Sequence, residues 1–397
     1  MRSRRFSHAH RKIAPLAGAV LLLLFVGAWR GAGQSPAWLS APRTVAPGVD
    51  YYTSTDPSLV DPAGPLAVYL LKLDPARVRL ASVLSNDEVY GAETVDSIAE
   101  RHHAVAAING GFFNTKNGEP VGLLKVAGVL VSDTPITKGM VAIQSPAKGR
   151  TTLDFDQASV SVALTFKEGG HDWRVPVDGV DTTRERGKLM LYNASYHADT
   201  DTAPEGTEWV LTGRPLTVRE IRSNTGHTLI PRDGIVLSYG GVDLPPPLEA
   251  LRLNVRVDMV TAWKTLNGLS PSQLDRVDDI VNGAGLLRRK GRLFTDWTVE
   301  KLAHDTFLDV RHPRTLIGVD DHGFIWLAAI DGRQPDHSVG MMFSDLQRLC
   351  DRLHLRDALN LDGGGSTTMV IGGEIVNKPS DAAGPRPVSD AILVTIR

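Results

Sequence analysis

Apolar residues gather in this chain into short runs punctuated by Gly, Pro, Asp and Asn, a pattern that predicts strands joined by tight turns with an occasional helix. Leu66–Leu73 and Val78–Val83 read as strands, and Thr94 is placed to cap a helix running to about Arg101. Ala104–Ile108 reads as a strand that ends in Asn109-Gly110-Gly111-Phe112-Phe113. The middle third offers shorter candidates, Ser159–Phe166, Gly234–Tyr239 and Leu251–Thr261, between loops rich in Gly, Pro and Asp. After residue 310 the pattern sharpens. Thr315–Val319 and Phe324–Ile330 read as two strands joined by a turn at Asp320-Asp321-His322-Gly323. In Met341–Leu355 the residues Met342, Phe343, Leu346, Leu349, Cys350 and Leu353 recur at helical spacing. Ala358–Leu361 and Met369–Ile371 then flank Asp362-Gly363-Gly364-Gly365-Ser366. No internal repeat appears, so one α+β domain with a large mixed sheet and flanking helices is expected over 65–397.

The first 33 residues depart from this pattern. Six basic and no acidic residues lie there, and a continuous apolar stretch runs from Ile13 to Trp29, the order of an export signal or an uncleaved membrane anchor. Residues 34–64, rich in Pro, Ser, Gly and Ala, are expected to be a flexible linker. The body should therefore lie outside the cytoplasmic membrane: periplasmic, extracellular or anchored by its N-terminal segment. With 42% apolar and 22% charged residues the remainder has the composition of a globular protein. Its mildly acidic balance supplies no general field for nucleic acid, so an anionic substrate must be met by a few placed arginines. The single cysteine, Cys350, permits no intrachain disulfide and reads as a core residue.

Polar residues stand at the ends of several apolar runs, where a rigid scaffold can present them: Asn109, Arg314, Asp331, Asn360 and Asp362. Each alone is consistent with an ordinary turn or ion pair; their joint occurrence points to a site. Three successive glycines allow backbone N–H groups to converge on a small anion, with Ser366 beside them. Asp331 and Asp362 could supply the carboxylate pair of a glycosidase, and Arg314 and Arg386 could clamp a phosphate. Other classes fit less well. A serine-hydrolase elbow would need glycine where Thr368 stands, a phosphate-binding P-loop would need a lysine before Ser366, and no zinc-ligand spacing occurs among the histidines. No cofactor is required by the sequence. A calcium or magnesium ion at acidic turns such as Asp320-Asp321 stays open, with solvated turn acids the simpler account.

Five segments in order, Asn109-Gly110-Gly111-Phe112-Phe113, Arg314-Thr315-Leu316-Ile317-Gly318, Asp331-Gly332-Arg333, the LNLDGGGSTTM run over 359–369, and Arg386-Pro387-Val388-Ser389-Asp390, resemble the phosphodiester glycosidase family. Asn282-Gly283-Ala284-Gly285 resembles that family's mid-domain turn. The resemblance implies release of a sugar, such as N-acetylglucosamine, from a sugar-1-phosphodiester by cleavage at the anomeric carbon. It implies Asp362 and Asp331 as catalytic residues, with Asn109, Arg314, Asn360, Gly363, Gly364, Gly365, Ser366 and Arg386 binding substrate. The expected partner is a sugar phosphodiester or phosphorylated glycan of the envelope or extracellular space. Two alternatives are a noncatalytic glycan-binding or exopolysaccharide-assembly protein and a metal-dependent phosphodiesterase.

Overall fold

The computed structural model describes residues 36–397, so the expected export segment lies outside the described residues. Three sheets carry the architecture. The first has eight strands in the order Arg43–Ala46, Val49–Ser54, Val68–Leu73, Ile325–Ile330, Arg314–Asp320, Leu355–Asn360, Leu286–Arg289 and Arg292–Leu293. The second has five, in the order Glu374–Ile375, Met369–Ile371, Ala106–Asn109, Asp390–Ile396 and Val78–Leu84. The third, twelve-stranded, is built mainly from the middle of the chain and includes the long strand Thr152–Glu168. Among the described strands pairing is antiparallel except where Gly179–Val180 runs parallel to Leu189–Asn193, with one further parallel bridge between Arg186 and Gly240, so the sheet system is mixed, as expected. Among the described residues helices are few, the longest being Phe343–Arg352. None of the described helices is long and apolar enough to cross a membrane.

The stretch 34–64 is not simply a linker. Arg43–Ala46 and Val49–Ser54 form a hairpin whose second strand pairs with Val68–Leu73 over six positions, and Val49 is fully buried. Pro47-Gly48, with Gly48 at φ 83°, sets the hairpin turn, and the Val and Tyr residues of its two strands suit an edge hairpin. Residues Ser35–Arg397 accordingly form one compact unit.

The strands that matter most are buried on both faces. Arg314–Asp320 and Ile325–Ile330 read as nearly continuous apolar runs because one face meets the central core and the other meets the helix Phe343–Arg352. Cys350 lies on that helix, fully buried, and burial pushes its thiol up to about 12, consistent with a packing role. Antiparallel neighbours bring chain starts and ends to the same edge. Arg314 opens its strand beside Ile330, while Asn360 ends the neighbouring strand beside Leu316. In the five-stranded sheet Asn109 ends a strand next to the starts of Met369–Ile371 and Asp390–Ile396. The same edges of two sheets therefore meet around residues 109–111 and 360–368.

Leu359 is fully buried one residue before Asn360 and packs against the backbone of Gly139 and Gly283. Leu359→Ala should lower stability by about 2–5 kcal/mol, read as a lower urea midpoint with an unchanged slope.

Candidate active site

Asn109 is the joint of this edge. Its amide Nδ2 donates to the carbonyl of Asp362 at 2.8 Å, while its Oδ1 accepts from the Thr315 hydroxyl at 2.7 Å and from the Thr368 N–H at 3.2 Å. The Asp362 N–H in turn donates to the Gly110 carbonyl at 3.2 Å. A strand end in one sheet thus holds the loop that leaves the other. Asn360 supports the loop from beneath, donating to the carbonyls of Ala284 and Leu361. Both asparagines are almost wholly buried and position backbone. Gly110 must be glycine, because a Cβ there would collide with the Asp390 carboxylate, which accepts from the Gly111 N–H and the Ser389 hydroxyl.

Above this joint is a pocket of about 360 Å³ lined by Phe112, Thr306, Phe307, His312, Pro313, Arg314, Arg333, Asp362, Gly363, Gly364 and Arg386. Asp362 is its single carboxylate. Burial pushes the Asp362 carboxyl up to about 6; the nearby Ser366 hydroxyl, the Gly363 N–H and the Arg386 guanidinium work against that rise, and the Asp390 carboxylate adds to it. Ser366 Oγ is buried below the pocket and makes no well-directed hydrogen bond of its own.

Arg314 is the strongest electrostatic feature. It is 1% exposed, and no carboxylate lies within 4.0 Å of it among the described residues. Its Nε donates to the Met341 carbonyl and its Nη2 to the carbonyls of Phe307 and Val310. Its guanidinium carbon lies 4.8 and 5.1 Å from the ring centres of Phe307 and Phe343. Burial, reinforced by the charge of Arg333, pulls its pKa down to about 9. Carbonyl dipoles and aromatic faces hold the cation without neutralising it, which leaves it ready for an anion in the pocket. Arg333 reaches the same pocket against Gly364, whose φ of 61° and missing Cβ allow the approach. Its Nη2 lies 3.3 Å from His312 Nδ1, and burial with the two arginines lowers the His312 pKa. Arg386 is already bound bidentately by Asp381, at 2.8 and 3.1 Å.

The expected residues therefore divide. Asp362, Arg314, Arg386, Gly363 and Gly364 line one pocket; Asn109, Asn360, Gly365 and Ser366 lie beneath or beside it. Asp331 does not line it. That carboxylate is 0% exposed and accepts from His337 Nε2 at 2.7 Å, from Asn377 Nδ2 at 3.0 Å and from the Lys378 N–H. Its geometry is that of a brace between the 331–338 turn and the 376–378 segment. The glycine run is likewise not an open cradle of donors. The Gly363 N–H turns back to Asp362 Oδ1, and the Gly364 N–H donates to the Pro313 carbonyl. Asp320, expected at an acidic turn, spends both oxygens inside its own hairpin, on the N–H groups of His322 and Phe324 and on the Trp326 indole. One set with metal-ligand spacing, Asp199, Asp201 and His227, occurs among the described residues, and none of the three lines the pocket.

Phe112 and Arg333 stand in segments that carry the family resemblance but are given no role by it, and His312 and Phe307 are not marked by the sequence at all. Arg333 had a usable signal, its place directly after the strand-end Asp331-Gly332. Thr306 and Phe307 lie on a short π-helical turn, His304–Leu308, with no pattern to mark them.

The family model for phosphodiester glycosidases matches residues 205–395. The mouse (Mus musculus) N-acetylglucosamine-1-phosphodiester alpha-N-acetylglucosaminidase is 30% identical over 196 residues, covering 44% of this chain and 35% of that protein. The human (Homo sapiens) protein of the same name is 30% identical over 121 residues, 29% of this chain and 23% of that one. The chain thus spans about a third or less of the curated relatives it matches. A hypothetical protein from Synechocystis shares the fold with a TM-score of 0.72 at 21% identity, over 90% of this chain and 64% of that one. A putative exported protein from Burkholderia pseudomallei does so with a TM-score of 0.69 at 24% identity, over 84% and 74%.

Because the folded Asp362 carboxyl titrates above its ordinary value, the stability it contributes is fully present below about pH 4 and is lost as pH rises through about 6. Asp362→Asn should therefore match the wild type near pH 4 and exceed it at pH 7 by about 1–2 kcal/mol, after allowance for partial exposure. Thermal melts of both proteins across that range measure the difference.

Proposed function

We propose that this protein, whose residues 205–395 match the family model for phosphodiester glycosidases, hydrolyses a sugar-1-phosphodiester, releasing a sugar of the N-acetylglucosamine type by cleavage at the anomeric carbon. The observation that carries this reading is the composition of the pocket: one carboxylate, Asp362, faces guanidinium groups of which one, Arg314, is buried without an acidic partner. A phosphate leaving group is weakly basic, so it departs without a strong proton donor. It needs its charge met instead. Arg314 and Arg333 bind the phosphate, and Arg386, held by Asp381, shapes the rim.

With its pKa about 6, Asp362 is mostly ionised at pH 7 and stabilises positive charge growing on the anomeric carbon, by attacking it or by activating water. The C–O bond breaks, its electron pair leaves with the phosphate monoester, and water supplies the new sugar hydroxyl. Phe112 and Phe307 offer ring faces to the sugar. The basic, apolar N-terminal segment supports export of the protein and a substrate in an envelope or extracellular glycan.

Hydrolysis of N-acetylglucosamine-1-phosphodiesters in isotopically labelled water tests the reading: label is expected in the released sugar, and label in the phosphate would mean cleavage at phosphorus. Saturable binding with no released sugar would favour the noncatalytic glycan-binding reading. Asp362→Asn should lower kcat by roughly 10²–10⁴-fold. The wild-type rate should climb with pH through about 6 and then level, as Asp362 ionises. Arg314→Met should lower kcat/KM by about 10–100-fold, the value of one charge-assisted anion contact.

A further inference from the structure

A second hollow, of about 290 Å³, adjoins the arginine pocket and shares two of its walls, Phe112 and Phe307, whose ring centres are 6.4 Å apart. Its polar groups are two lysines, Lys138 and Lys301, with Asn282 at its floor. Lys138 is half-buried on the strand Thr134–Gln144, and its Nζ donates to the carbonyl of Glu300. The Glu300 carboxylate is wholly buried and spent elsewhere: it accepts from the N–H groups of Gly139 and Gly285 at 2.9 Å each and from Gln157 Nε2 at 2.7 Å. Among the described residues neither lysine has a carboxylate within 4.0 Å. Burial lowers the Lys138 pKa; the charge of Glu300 opposes that shift, and the smaller effect of the Lys301 charge adds to it. Lys301 itself adopts a left-handed backbone, φ 55°, immediately after the turn Thr298–Glu300.

Half-buried Lys138 and exposed Lys301 thus line one hollow beside apolar walls with no carboxylate in direct contact, the buried Glu300 acting on Lys138 only from a distance. A neutral sugar would gain little from such a pair, whereas an anion would relieve both. Asp362 lines the first pocket and not this hollow, and Phe112 and Phe307 are walls of both. We propose that this hollow binds a second anionic group, a phosphate or carboxylate, carried by the non-sugar alcohol of the diester. The preferred substrate is then a sugar-1-phosphodiester with two separate negative groups, the scissile one met by the arginines and the other by Lys138 and Lys301. This proposal rests on the phosphodiester glycosidase reading of the first pocket.

Three diesters of N-acetylglucosamine 1-phosphate separate the two ideas: one to glycerol, one to glycerol bearing a phosphate, one to glycerate. Hydrolysis is measured with the wild type and with Lys301→Glu, and binding is measured by calorimetry on Asp362→Asn with and without Lys301→Glu. Wild-type kcat/KM should be about tenfold higher for the two charged diesters, chiefly through KM, and Lys301→Glu should abolish or reverse that preference in both readouts. Turnover of all three at equal kcat/KM, or a preference untouched by Lys301→Glu, overturns the second subsite and leaves the hydrolase reading standing. Charge-dependent binding lost with Lys301→Glu, but no turnover by the wild type, overturns the hydrolase reading and keeps the anion site. Neither binding nor turnover overturns both.

Discussion

Everything at the site depends on one buried carboxamide. Asn109 has no free hydrogen-bonding capacity toward a ligand in its Oδ1, which accepts from Thr315 in the eight-stranded sheet and from Thr368 in the returning loop, while its Nδ2 fixes the Asp362 carbonyl. Side-chain amides that bridge strand ends do what a backbone ladder cannot, since the two sheets do not pair along this edge. The loop it clamps is short of alternatives, because Gly363 and Gly364 have already spent their N–H groups on Asp362 and Pro313. Asp362 is therefore aimed by a chain of satisfied donors and acceptors, a preorganised carboxylate whose burial raises its pKa.

The second consequence of this joint is an imbalance of charge. Arg314 opens the strand beside the clamped loop, just after Pro313, so its guanidinium enters the pocket from the same edge as Asp362. The protein surrounds it with carbonyls and aromatic rings, and places Arg333 near enough to disfavour its charge. Held this way it costs stability in the free protein, and an incoming phosphate would remove that cost. Asp331, behind the turn that carries Arg333, is saturated by His337, Asn377 and Lys378 and acts on the pocket through the backbone it fixes.

Much of this was legible from residue order. Gly234–Tyr239 forms the strand its apolar run predicts, and Val78–Leu84, Arg314–Asp320 and Ile325–Ile330 lie within a residue or two of expectation, because buried strands bounded by turn residues leave a clear pattern. The long strand Thr152–Glu168 was legible only in its second half. Asp154, Asp156 and Gln157 interrupt the apolar pattern, and Asp156 is buried there to accept the N–H groups of Leu266, Asn267 and Leu269. That tertiary use of a carboxylate has no local signature. Residues at strand ends, Asn109, Arg314 and Asp362, could be found by position. Which acid faces the pocket could not, since Asp331 and Asp362 stand in similar local settings and differ only in the partners that distant segments bring. Phe307 and His312, on irregular chain, were equally silent.

On the reading proposed above, Arg314 and Asp362 serve one ligand, an anion attached to a sugar. A crystal structure of the Asp362→Asn protein soaked with N-acetylglucosamine 1-phosphate tests it most directly. The phosphate should lie within hydrogen-bonding distance of Arg314 and Arg333, with the anomeric carbon turned toward residue 362. A phosphate seated away from Arg314, or a sugar pointing its anomeric carbon away from residue 362, would contradict the account.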